Sequence, residues 1–82
     1  MLGNLRAAKK KTVGTKQTLK AVSKGTAKVV FVAEDAEEHV IRDLIKACTE
    51  NGVEVVRIDT MAALGEACGI EIGAAAAAIT EE

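Results

Sequence analysis

Residues 14–24, GTKQTLKAVSK, set Lys16, Lys20 and Lys24 four apart with no acid among them. On a helix this spacing stacks three like charges along one edge, and each i,i+4 pair costs about 0.2–0.5 kcal/mol. Solvent-facing helices usually mix signs, so a bound polyanion is one source of the missing counter-charge. A helix beginning near Gly14 also points free backbone N–H groups outward, with Lys16, Gln17 and Lys20 flanking that end. Dipole, N–H groups and lysines together make a phosphate site. Gln17 adds an amide able to donate and accept at a base edge. A solvated lysine face accounts for the same residues, so on this stretch alone both readings stand open.

The other reactive residues offer less. Cys48 and Cys68 form no CxxC pair and His39 is the sole histidine, so no metal motif is present and the thiols read as reduced and buried. Nothing in sequence ties His39 to either thiol as a base. Glu34, Asp35, Glu37 and Glu38 fit a strand-end loop and a helix N-terminus, where the dipole favours acids. No GxGxxG or Walker pattern occurs. An enzyme, a cofactor and a metal are therefore not expected.

Charge is divided along the chain. Residues 1–28 hold eight basic side chains and no acid, whereas residues 29–82 hold three basic and all twelve acidic ones. The segments thus carry +8 and −9, either neutralising each other across the fold or leaving one basic face of the kind nucleic acids use. Phe31 is the single aromatic residue. That argues against a stacking platform for single strands and for a structured, shaped nucleic acid.

The elements that must position these residues follow from the apolar pattern. Residues 5–13, LRAAKKKTV, give a short basic helix or arm, and Thr12-Val13 a brief strand. Thr15, Leu19 and Val22, with Thr18 beside them, repeat at helical spacing up to Gly25. Residues 28–35, KVVFVAED, read as a strand buried on both faces. Residues 36–52 are the clearest helix, with Val40, Ile41, Leu44, Ile45 and Cys48 as its stripe. Residues 53–58 are a second strand. Residues 59–69 are a short helix capped by Asp59 or Thr60 and ended by Gly69.

Residues 74–79 are alanine-rich and have helix propensity, but they close an alternating β–α pattern and read as a strand. At 82 residues, 49% of them apolar, the expectation is one domain over residues 1–82. Its fold class is α/β, a three-layer α/β/α sandwich on a central mixed sheet of about four strands. With no membrane-length apolar run and no signal segment, a cytoplasmic protein is expected.

Two stretches together resemble a known family. GTKQTLKAVSKGTAKVVFVAEDA is similar to its first block: Gly-x-Lys-x-Thr-x-Lys, a short helix, Gly, then a strand ending in Ala-x-Asp-Ala. LGEACGIEIGAAAAAI is similar to its second: Leu-Gly-x-Ala-Cys-Gly, an apolar loop and a small-residue final strand. Order and separation agree from about residue 4 onward. The chain so resembles the kink-turn RNA-binding ribosomal proteins, archaeal L-seven-Ae and eukaryotic L-thirty, and above all their small bacterial members.

The resemblance implies an α/β/α sandwich that binds a kink-turn, a duplex bent at a bulge beside tandem sheared G·A pairs. By position, Gly14, Thr15, Lys16, Gln17 and Lys20 would meet the G·A pairs. Gly69, Ile70, Glu71 and Ile72 would form the loop that caps extruded nucleotides, with Ile70 and Ile72 covering the bases. Two departures stand out. Lys16-Gln17 replaces the Asn-Glu of the archaeal and small-nucleolar branch, and Glu71 puts a negative charge in the capping loop. The expected partners are kink-turn RNA and the ribosome, with no membrane, and the protein is expected to be a monomer. A protein–protein adaptor of the same fold is the alternative.

Overall fold

The computed structural model describes residues 2–81. In chain order its elements are α1 (Leu2–Ala7), β1 (Lys10–Val13), α2 (Thr15–Lys24), β2 (Val29–Ala33), α3 (Glu38–Asn51), β3 (Glu54–Ile58), α4 (Met61–Ala67) and β4 (Ala76–Glu81). The sheet runs β1-β4-β2-β3. β2 and β3 are parallel, joined by α3 as a crossover, and β4 is antiparallel to both β1 and β2. The mixed four-stranded sheet expected from the sequence is present, with helices on both faces.

Alternation along the central strands assigns each face. Val30 and Val32 of β2, with Ala76 and Ala78 of β4, lie under Val22 of α2 and Leu44 and Cys48 of α3. Phe31 and Ala33, with Ala77 and Ile79, lie under Leu5 of α1 and Leu64 and Ala67 of α4. Val22, Leu44, Leu64 and Phe31 are at most 1% exposed, each contributing roughly 1.5–3 kcal/mol by burial.

The alanine run is a strand despite its helix propensity. As the second strand in the order, β4 supplies hydrogen bonds to β1 on one side and β2 on the other, and only extended backbone does that. Its small side chains leave room for helices above and below. The strand begins two residues later than expected because the Ala74 N–H donates to the Met61 carbonyl at 3.0 Å, off the sheet. Helix α3 likewise starts at Glu38, because Glu37 holds an extended ψ of 137° as its cap. The topology brings the ends of β1, β2 and β3 and the start of β4 to one end of the sheet.

Candidate nucleic-acid interface

Helix α2 starts at that end. Gly14 has φ 101° and ψ 154° and offers no side chain to the helix cap. Its N–H donates to the Ala76 carbonyl at 2.8 Å, and its carbonyl accepts from Thr18 N–H at 3.0 Å. A Cβ at Gly14 would meet nothing within 4 Å. Glycine is therefore needed for the positive φ rather than for space. Among the described residues no side chain caps α2 and no acid sits in its first turn. Its N-terminal dipole and N–H groups are thus left for an outside anion.

Thr18, Ala21 and Val22 turn inward, with the Thr18 hydroxyl 3.3 Å from that of Thr12 on β1. Thr15 is only half-buried, so the inward stripe runs through Thr18 and Ala21, not through Thr15. Lys16, Gln17, Lys20 and Lys24 are exposed. Gln17, Lys20 and Lys24 line an open groove of about 370 Å³ with Lys10 and Glu81. Among the described residues Lys16, Lys20 and Lys24 make no ion pair, whereas Lys10 Nζ lies 3.9 Å from Glu81. Lys10 was not legible as part of this surface, because only the β1–β4 pairing sets it beside α2.

The second segment arrives over α4. The Thr60 hydroxyl accepts from Ala63 N–H at 3.0 Å and the Asp35 carboxylate from Met61 N–H at 2.7 Å. At the other end Gly69, with φ 79°, completes a Schellman turn: its N–H donates to Glu66 and that of Ile70 to Gly65, at 3.0 and 3.1 Å. The chain then doubles back across the helix. A methyl on Gly65 would overlap the Ile72 carbonyl oxygen and lie 3.1 Å from Gly73 Cα, and one on Gly73 would meet Met61 Cβ at 3.0 Å.

Residues 69–73 are thereby strapped to both ends of α4. Ile70 packs partly into the core under α4, while Glu71 is exposed and Ile72 is 74% exposed, an outlier among the large apolar side chains. The two isoleucines are thus not equivalent. Asp35, Met61, Gly65 and Gly73 were missed as supports, although the four-residue spacing of Gly65, Gly69 and Gly73 carried a signal of close backbone approach.

Because Gly14 is bonded to Ala76, four residues after Ile72, the sheet brings the α2 N-terminus and the Ile72 loop to the same end of the molecule. Glu66 on α4 and Glu34 after β2 face Arg6 and Arg57 at 3.1 and 3.4 Å. Burial raises the pKa of both Cys48 and Cys68, with Lys11 partly opposing it at Cys68; they are core thiols. No described helix is long and apolar enough to cross a membrane.

The whole chain, residues 1–82, matches the family model described as "Ribosomal protein L7Ae/L30e/S12e/Gadd45 family". It is 54% identical over 69 residues to an RNA-binding protein of Caldanaerobacter subterraneus subsp. tengcongensis, covering 84% of each chain. It is 46% identical over 67 residues to the large ribosomal subunit protein eL8 of Halobacterium salinarum, covering 80% of this chain and 56% of that one. A solved structure, the Giardia lamblia 15.5kD RNA binding protein, superposes with a TM-score of 0.87 at 29% identity. That match covers 99% of this chain and 68% of the other.

Proposed function

The chain belongs to the ribosomal protein L7Ae/L30e/S12e/Gadd45 family, and from that premise we propose that it binds structured RNA at a kink-turn. The observation that carries this reading is the meeting, through the Gly14–Ala76 hydrogen bond of 2.8 Å, of an uncapped helix N-terminus and a loop presenting Ile72. The first supplies N–H groups and lysines for phosphate. The second supplies apolar surface for bases that have left the stack.

In this reading Gly14 and Thr15 bring backbone against the RNA. Lys16 and Lys20 hold phosphates or guanine acceptors, and Gln17 meets the edges of the G·A pairs. Gly69, Ile70, Glu71 and Ile72 form the cover over the bulge, with Ile72 the side chain that touches the bases and Ile70 its anchor. A neutral Gln17 accepts from guanine donors less strongly than a carboxylate does, which makes lysine charge a larger share of the affinity. Residues 1–82 act as one RNA-binding unit and a monomer, in the cytoplasm and in association with ribosomal or other kinked RNA. The protein's work is binding and holding a bend, not catalysis.

The experiment is a titration at near-physiological salt, with a donor–acceptor pair on the two arms of the RNA. An RNA with a three-nucleotide bulge and tandem G·A pairs should bind more tightly than a continuous duplex of equal length. Protein should also raise its bent fraction, since a ligand favours the state it binds better. Equal affinity for both RNAs with no change in transfer would falsify the kink-turn reading.

A further inference from the structure

Helix α4 has two acceptors at its N-terminus, and they come from different places. Thr60 is the local cap, holding the Ala63 N–H at 3.0 Å. Asp35 belongs to another element, the turn after β2, and holds the Met61 N–H at 2.7 Å across 26 residues of chain. A local cap already serves helix formation. The Asp35 bond adds something a local cap cannot, a link between α4 and the sheet end.

The turn that carries Asp35 is itself fastened on both sides. The Ala33 N–H donates to the Ala75 carbonyl of the β4 lead-in at 2.9 Å, and that of Glu34 to the Ile58 carbonyl of β3 at 2.8 Å. The Ala36 N–H closes the turn on the Ala33 carbonyl at 3.2 Å, and Glu34 faces Arg57 at 3.4 Å. Met61 passes the constraint on. While its N–H is held by Asp35, its carbonyl accepts from Ala74 N–H at 3.0 Å, and its Cβ bears on Gly73. Gly73 and Ala74 are where the Ile72 loop ends.

We propose that Asp35 is the positioning residue for the Gly69–Ile72 loop: its carboxylate fixes the start of α4, and through Met61 it sets the height at which Ile72 is offered to unstacked bases. The RNA part of this proposal rests on the kink-turn reading. The mechanical part does not. A loop anchored at Gly65 and Gly69 on one side, and at Met61 on the other, follows the tilt of α4. The buried Leu64 and Ala67 hold that helix down, Met61 and Ala63 pack partly against the core, and Asp35 and Thr60 hold the N–H groups of its first turn.

The test compares Asp35→Ala with Asp35→Asn, which keeps an acceptor oxygen. Amide hydrogen exchange reads the linkage without RNA. In Asp35→Ala the Ala74 amide should exchange at least about fivefold faster while Val30 and Val32 are unchanged, and Asp35→Asn should restore most of the protection. Equal protection of Ala74 in altered and unaltered protein overturns the linkage whatever the RNA result.

Binding then reads the role, using a kink-turn RNA with its bulge bases and the same RNA with abasic bulge sugars. Asp35→Ala should weaken binding to the first at least about fivefold and to the second less than twofold. Equal losses on both RNAs would mark Asp35 as general scaffolding and overturn its role at the loop. If Ala74 loses protection but the unaltered protein does not distinguish the two RNAs, the linkage stands. What falls in that case is base coverage by Ile72.

Discussion

The Gly65 Cα lies directly beneath the Ile72 carbonyl, with no space for even a methyl group between α4 and the loop above it. This contact predicts a stability effect that comes from steric overlap rather than from charge. Gly65→Ala should destabilise by about 1–3 kcal/mol, the usual range for overpacking. The melting temperature should fall by about 4–8 °C for each kcal/mol in a domain of this size. Gly14→Ala meets open space, so its cost comes from φ alone and should be the smaller of the two. Thermal melts of both variants check the order.

The lysine edge of α2 should dominate affinity. Lys20→Glu, at the proposed groove contact, should lose at least about tenfold in RNA affinity, roughly 1.4 kcal/mol, with folding almost unchanged. Lys46→Glu on α3 should matter much less. Equal losses at matched salt would count against this face.

Gln17→Ala should act on discrimination rather than on overall affinity, because base-edge contacts specify while phosphate contacts position. The gap between a kink-turn and a variant lacking the G·A pairs should narrow. A uniform loss on both RNAs, measured by direct titration, would demote Gln17 to a general contact.

The groove between α2 and the start of β1 predicts a salt effect. Lys10→Ala with Lys24→Ala removes two of its cations, so the slope of log K against log salt should become shallower by about one to two. An unchanged slope would mean that the RNA does not run along this groove.

Both buried thiols titrate above their ordinary value of 9.0 in the folded protein, so the protonated form is the one that fits the core. Their contribution to stability is fully present below the unfolded value and is lost as pH rises through the raised folded values. Denaturant midpoints should therefore fall at alkaline pH. Cys48→Ala should flatten part of that fall, although the lost sulfur lowers stability at neutral pH. An identical alkaline slope in the variant would assign the fall to other groups.

The layers were legible in the sequence because local pattern and tertiary need agree. The valines around Phe31, the Leu44–Cys48 stripe and the glycine stops at 25 and 52 each point to the element observed. The alanine run was legible only from its place in the β–α order, since its propensity argues the other way. Lys10 and Asp35 were illegible as participants in the site. Lys10 reaches the α2 edge through strand pairing, and Asp35 reaches Met61 through a turn tied to two other strands. Neither relation has a signature in nearby residues. The difference between Ile70 and Ile72 was hidden for a similar reason, because the direction of the Schellman turn at Gly69 decides which of them is buried.

Ala76, Ala77 and Ala78 are fully buried, with helices resting on the methyl groups of both faces. Their smallness divides the molecule into parts that tolerate sequence drift and parts that do not. Enlarging any one of them pushes a helix outward and moves Gly14 or α4 with it, so the strand has almost no freedom to vary. Lys16, Gln17, Glu71 and Ile72 stand in solvent and can be exchanged without disturbing that spacing. Under the proposed reading, such a scaffold can change its RNA preference one surface residue at a time, keeping the distance between its two candidate recognition segments as an inheritance.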